Sequence, residues 1–391
     1  MQVISSTEEL RRFCEDQVDA GFVTVDTEFI REKTFWPQLC LVQMAGPKTA
    51  AIIDPLAPGI DLAPLAELLA NPKLLKVFHA ARQDVEIFLH LFGVVPVPIF
   101  DTQVAAMVCG FGESVGYETL AAKLAKARID KSLRFTDWAR RPLSDRQLSY
   151  ALSDVTHLRV AYEKLAARLE RTGRSSWVAE EMALLADPVT YIVPPEDFWP
   201  RLKPRSTNPR FLAILREVAA WREREARERD LPRGRVMRDE SLTEIAAHAP
   251  KTVDELAQVR GMSRAQAEGK WGLALLAAVA AAQALPESAC PHLEPRSEPP
   301  KGIGPLIELL RVLLKTVCDN EDVAQKLVAS QSDLEAIAAD DAAAVPALHG
   351  WRFEVFGRLA LELKHGRLGL TCTSDGKGVR MLPLDGNGVS V

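Results

Sequence analysis

The chain has 391 residues, 47% of them hydrophobic and 26% charged, with a formal net charge of −5. That length corresponds to roughly two to four domains of an ordinary soluble globular protein. The acid excess excludes a global basic field, so a nucleic-acid partner would have to be held by local patches.

Cysteines 14, 40, 109, 290, 318 and 372 are scattered and form no Cys-x-x-Cys pair. This argues for reduced, buried thiols in a cytosolic protein and against a zinc site or a disulfide framework. The N-terminus has no basic start followed by a long apolar core, so it does not read as a secretory signal. The longest apolar run, residues 273–285, is alanine-rich and too short to span a bilayer, and reads as a packed helix. The expected location is the cytoplasm, with no membrane partner, and the chain is expected to be a monomer.

Taken in order, Ser6 or Thr7 caps a first helix. Val23 to Phe29 is a short β-branched run and predicts a buried strand. Gln38–Met44 and Ala50–Ile53 are two further strands around Gly46-Pro47. The first three strands are therefore expected to be consecutive and antiparallel. From residue 62 onward helices and strands alternate, which implies a mixed sheet with helices on its faces. Ser144-Asp145 caps a long helix through Tyr150, Asp154 and Leu158. Residues 187–209 hold six prolines and residues 288–305 hold five, which marks two linkers. The expected division is 1–190, a linker at 191–207, a helical domain at 208–287, a linker at 288–302, a second helical domain at 303–370 and a tail at 371–391, with a possible hairpin near the end.

Asp26 and Glu28 lie two apart on the first of these strands, and residues i and i+2 share a face. Two anions aimed at one spot repel, and a divalent cation with hard oxygen ligands resolves that conflict. Alone, Asp-x-Glu reads equally as the polar end of a strand. Asp84 follows a strand and opens a helix, where an acid is common in any case. Tyr150 and Asp154 are one helical turn apart and share a face. A phenol beside a metal-binding carboxylate suits a site that handles water; a packed tyrosine with a solvated aspartate is the bland alternative.

Together, Asp26-Thr27-Glu28-Phe29, then Trp36-Pro37-Gln38-Leu39-Cys40-Leu41-Val42-Gln43, then His79 and Gln83 around Asp84, then Tyr150-x-x-x-Asp154, resemble the 3′→5′ exonuclease superfamily with four acids and a tyrosine. Within it, the first domain resembles the ribonuclease D catalytic domain. Residues 231–246 and Val259-Arg260-Gly261-Met262 resemble the helicase-and-RNase-D C-terminal (HRDC) domain, and residues 326–337 resemble a diverged second copy. The resemblance implies an α/β, RNase H-like exonuclease domain followed by two small all-α domains. It also implies two-metal-ion phosphodiester hydrolysis with Mg2+ or Mn2+, release of nucleoside 5′-monophosphates, and 3′-extended tRNA precursors as the RNA trimmed. Carried over by position, Asp26 would bridge both metals. Glu28 and Asp154 would complete one metal site, Asp84 would serve the other through its waters, and Tyr150 would orient the attacking water.

Phe29, Gln38, His79 and Gln83 are candidates for contact with the terminal nucleotide, with core or helix-start roles as the other reading. Residues 221–239 hold seven arginines against five acids. The helical part reads as a solvated, ion-paired face. Arg233, Arg235 and Arg238 are the candidates for phosphate contact. Trp271 reads as core or as a stacking platform. Two rivals stand beside the exoribonuclease reading: a DNA-directed exonuclease on the same scaffold, and a noncatalytic RNA-binding adaptor. The intact set of four acids and a tyrosine counts against the adaptor.

Overall fold

A computed structural model describes residues 2–133, 136–293, 300 and 302–384. The N-terminal unit runs β1 (Gln2–Ile4), α1 (Thr7–Gln17), β2 (Phe22–Ile30), β3 (Gln38–Ala45), β4 (Ala50–Ile53), α2 (Ala63–Ala70), β5 (Leu75–Phe78), α3 (Arg82–Phe92), β6 (Ile99–Asp101), α4 (Thr102–Val108), α5 (Tyr117–Leu124), α6 (Asp145–Thr172) and α7 (Ser175–Ala186). The six strands form one mixed sheet in the order β1-β4-β3-β2-β5-β6. The three runs read as antiparallel are so paired, but they are the second to fourth strands. A three-residue strand, β1, precedes them and lies parallel to β4. Its one buried side chain, Ile4, is too little periodicity to announce it.

Central β2 pairs with β3 on one side and parallel β5 on the other. Its inner residues are therefore buried and its carboxylates are placed at the middle of the sheet. Helix α6 begins with a reciprocal capping box between Ser144 and Gln147 and packs on β2, β3 and β4. The Thr24 hydroxyl lies 2.9 Å from the Val155 carbonyl and ties β2 to α6. Arg141 fixes the start of α6: Nε and Nη2 each donate to Asp54 at 2.7 Å, and Nη2 also reaches the Cys40 carbonyl.

A second apolar core is built from α8 (Pro209–Glu228), α9 (Arg233–Val236), α10 (Asp239–His248), α11 (Val253–Ala257), α12 (Arg264–Glu268) and α13 (Lys270–Ala284). Phe35, from the β2–β3 connection, and Trp199, from the proline-rich segment, are buried in it. The proline-rich stretch is accordingly no plain spacer; it forms short 3-10 turns and seats Phe198 and Trp199. In α13, Leu273 is more than half exposed, so the apolar run packs on one side only.

A third core gathers α14 (Gly304–Glu321), α15 (Gln325–Val328), α16 (Gln331–Ala339) and the helical stretch 350–364. Leu368, Leu370 and Met381 of the hairpin β7 (Leu368–Cys372) and β8 (Val379–Pro383) pack against it, so the hairpin crosses the expected boundary at 370. Five cysteines are buried; Cys372, at the end of β7, is exposed. Among the described residues no helix is long and apolar enough to cross a membrane.

Candidate active site

A cleft of about 510 Å³ opens where β2 and the start of α3 meet α5 and α6. Asp26, Glu28, Asp84, Tyr150 and Asp154 all line it. Asp26 and Glu28 come from β2, whose register shifts at Glu28/Phe29. A bulge there increases local twist and re-aims side chains at the end of the strand. Asp154 comes from α6. One carboxylate oxygen each of Asp26, Glu28 and Asp154 lies within 4.8 Å of the others.

Asp84 stands beside this trio. It occupies the first turn of α3, is buried, and accepts a hydrogen bond from Thr27 Oγ1 at 2.5 Å. Tyr150 donates to Asp154 from one turn earlier and stacks on Trp138 with 6.1 Å between ring centres.

The electrostatics follow from burial. Asp154 is pushed up to about 9, first by burial and then by the charge of Asp26; the Tyr150 hydrogen bond offsets part of this. Burial raises Asp26 to about 6. Asp84 is held well above the ordinary carboxylate range by burial and by Asp26. Without a cation, Asp154 holds its proton at a pH where an exposed carboxylate has lost it. Asp154 Oδ1 is also buried with no hydrogen-bond partner. A converging set of hard oxygen donors, a buried oxygen without a partner and mutual repulsion all fit divalent cations.

Of the substrate-contact candidates, Phe29, His79 and Gln83 line the cleft. Gln38 does not: it is the exposed first residue of β3. Arg233 is committed elsewhere. Its guanidinium makes a two-pronged ion pair with Glu223, which is fully buried, and lies over the rings of Phe35 and Phe198. Arg235 and Arg238 are exposed. Trp271 is half-buried, donates to Glu225 and meets Trp221 edge-on.

Sequence reading missed three groups. Tyr117 lines the cleft and donates to the Ser153 carbonyl at 3.0 Å. Its phenol is pushed upward by burial and by the charges of Asp154 and Asp26. Asp101 accepts from Ala80 N and Ala81 N and so clamps the turn between β5 and α3. The Asp54–Arg141 pair is the third. Only Asp101 carried a signal, as a helix-capping Asp-Thr after a strand.

A mixed sheet with a carboxylate trio at its central strand, a fourth acid at a helix start and a tyrosine one turn from the last acid defines a metal-dependent 3′→5′ exonuclease. The model of a 3′-5′ exonuclease family matches residues 1–170, and that of the HRDC domain matches residues 211–279. Ribonuclease D of Gluconacetobacter diazotrophicus is 53% identical over 97% of this chain and 96% of its own length. That of Granulibacter bethesdensis is 51% identical over 97% and 96%. The crystal structure of Escherichia coli RNase D, described as an exoribonuclease involved in structured RNA processing, is 33% identical and has a TM-score of 0.78, covering 93% of this chain and 98% of that one. The chain belongs to the ribonuclease D family and is a hydrolytic 3′→5′ exoribonuclease.

Proposed function

We propose that the chain trims 3′ extensions of tRNA precursors one nucleotide at a time, releasing nucleoside 5′-monophosphates, with two Mg2+ or Mn2+ ions held by Asp26, Glu28, Asp84 and Asp154. The observation that carries the reading is the convergence of three carboxylates from β2 and α6 within 4.8 Å, with Asp84 buried alongside. Divalent ions there would acidify the attacking water and neutralise charge on the leaving oxygen.

The chain's own groups divide the remaining work. Asp26 sits among the other acids and is the group whose charge raises both Asp84 and Asp154. Tyr150, bonded to Asp154, places a phenol where a water can be oriented. Phe29 and Gln83 line the same cleft and would bound the terminal nucleotide. Exposed Arg235 and Arg238 would contact phosphates farther along the RNA. The third helical unit, with Glu335, Asp340 and Asp341, would act as a spacer around the RNA rather than as a phosphate clamp.

The deciding experiment incubates the purified chain with a 3′-extended tRNA, with and without Mg2+, beside Asp26→Ala. Stepwise shortening from the 3′ end, with metal only and by wild type only, is the expected result. Binding with no shortening in any divalent metal would return the adaptor reading.

A further inference from the structure

The cleft has no cationic side chain of its own. Among the described residues lining it, none is lysine or arginine, and its walls carry the four acids and Glu118. A 3′ end can enter such a site against metal ions, but the phosphates behind that end need positive charge outside it. An adjoining cavity offers that charge. Phe29 and Gln83 line the cleft, while Arg31, just past the end of β2, and Arg82, at the start of α3, line a second cavity of about 660 Å³. The end of β2 and the first turn of α3 thus form a wall common to both spaces.

Three parts of the chain line this second cavity. On α3, Arg82, Glu86, Leu89 and His90 follow helical spacing and face it together. The second core contributes Arg227 of α8 and Arg233 of α9. Residues 190–193 and Arg201 of the proline-rich segment complete it.

Five arginines therefore line the cavity, with Glu86 as the one lining carboxylate among the described residues. Three of the five are already answered. Arg31 holds Glu86 in a two-pronged pair at 2.9 and 3.0 Å. Arg233 and Arg227 share Glu223, whose side chain is fully buried. Asp230 is turned to the N–H groups of Phe35 and Trp36. Arg82 and Arg201 are exposed, and neither has a carboxylate partner among the described residues. Arg82 gives one N–H to the Thr190 carbonyl at 3.2 Å and lies over the Tyr191 ring; Arg201 lies over Phe198. A guanidinium laid on an aromatic face is oriented yet keeps N–H groups at its edge for another acceptor.

We infer that this cavity between the sheet domain and the second core is the subsite for the RNA strand immediately behind the 3′-terminal nucleotide, with Arg82 and Arg201 donating to its phosphates. This rests on the cleft receiving that 3′ end, as proposed above. A phosphate matches a free guanidinium edge, and an enzyme that removes nucleotides in succession meets one at every step, whatever the base. Ile192, more than half exposed in the cavity wall, offers a sugar or base an apolar face. The volume is that of a small-molecule site, so it takes a nucleotide or two of single strand and not a duplex.

The test compares kcat/KM on an RNA dinucleotide, which is confined to the cleft, and on a single-stranded hexanucleotide, which reaches the cavity. Wild type, Arg82→Ala, Arg201→Ala, Arg82→Lys and Arg201→Lys are measured in saturating Mg2+ at several salt concentrations. Wild type is expected to prefer the hexanucleotide. Each alanine variant is expected to lower the hexanucleotide-to-dinucleotide ratio about tenfold, mainly through KM, the loss of roughly one hydrogen bond to a charged group. The slope of log(kcat/KM) for the hexanucleotide against log salt is expected to shrink by about 0.7 for each contact removed. The lysine variants keep the charge and should restore part of both. Loss of folded enzyme scales both substrates alike, so the ratio reports the contact and not the fold. A ratio that stays at the wild-type value in both alanine variants overturns the inference, as does a wild type with no preference for the hexanucleotide. Adenosine 5′-monophosphate that alters dinucleotide turnover by wild type, but not by the alanine variants, would assign the cavity to a free nucleotide and also overturn it. If wild type shortens neither RNA, the exonuclease reading itself fails, which is a different outcome from an unchanged ratio.

Discussion

Thr27 and Asp84, 57 residues apart, are joined by a hydrogen bond of 2.5 Å from the threonine hydroxyl to the carboxylate. Thr27 lies between Asp26 and Glu28 on β2, so the strand that supplies two acids also steers a third. Thr27→Val keeps the shape and removes the donor, leaving a buried carboxylate with weaker support. The half-saturating Mg2+ concentration for RNA shortening is expected to rise about tenfold, roughly one hydrogen bond to a charged group. A Mg2+ titration of the rate checks this; an unchanged midpoint would show that Thr27 does not steer Asp84.

Removing a carboxylate from the trio separates catalysis from stability. Asp26→Ala and Asp154→Ala are each expected to lower the rate by roughly a thousandfold or more, several kcal/mol of barrier. In chelator, however, their thermal midpoints should equal or exceed that of wild type, because a repelling, desolvated acid has gone. Calorimetry in EDTA beside a single-turnover assay gives both numbers. A variant with near-wild-type turnover would remove that residue from the site.

The same acids give the metal-free protein a pH dependence of defined sign. Burial holds Asp154 up to about 9 and Asp26 at about 6 in the folded state, against a reference of 3.8 for each. Across that window the folded chain binds more protons than the unfolded chain, so stability is full below about 4 and falls as pH rises toward 9. Asp154→Asn is expected to flatten much of the fall, and saturating Mg2+ to reverse it by binding the ionised folded form. Unfolding midpoints from pH 4 to 9 in EDTA test this; a wild-type midpoint that climbs across the range contradicts it.

What could be read in advance was whatever repeats at short range. Asp26 and Glu28 share a strand face, and Tyr150 and Asp154 share a helix face, because periods of 2 and 3.6 are local facts. The pairing of Asp54 with Arg141 spans 87 residues and leaves no periodic trace. Tyr117 sits at an ordinary helix start and acquires its place only when α5 meets α6. The prolines of residues 187–209 announced a linker, but Phe198 and Trp199 are large apolar groups that are buried, Trp199 in the second core. The arginine count around Arg233 could not separate an exposed guanidinium from one pinned by buried Glu223.

Docking of the second core onto the sheet domain hangs partly on Asp230. Its carboxylate accepts from the backbone N–H groups of Phe35 and Trp36 at 3.0 and 2.9 Å. Trp36 in turn stacks on His90 of α3 at 4.0 Å. Asp230→Ala strips two donors of their partner and is expected to cost about 1–3 kcal/mol. The change should appear as faster proteolysis within residues 187–209, with shortening of a dinucleotide retained because the acids are untouched. Proteolysis at the wild-type rate would show that the two units are held by other contacts.

The three arginines after α8 should respond in two different ways. Arg233 pairs with Glu223, whose side chain is fully buried. Arg233→Ala removes the two-pronged partner of that carboxylate and leaves it only Arg227, 3.9 Å away; breaking a buried pair costs about 3–5 kcal/mol. Because Arg233 is itself one-third exposed, the lower end is expected. Arg235 and Arg238 are exposed. Their alanine variants are expected to keep the wild-type unfolding midpoint, to weaken RNA binding and to reduce the salt dependence of that binding by about one ion each. Binding isotherms from low to moderate salt, beside thermal melts, separate the two behaviours. An Arg238→Ala variant that melts early and keeps its salt slope would exchange the roles assigned here to Arg233 and Arg238.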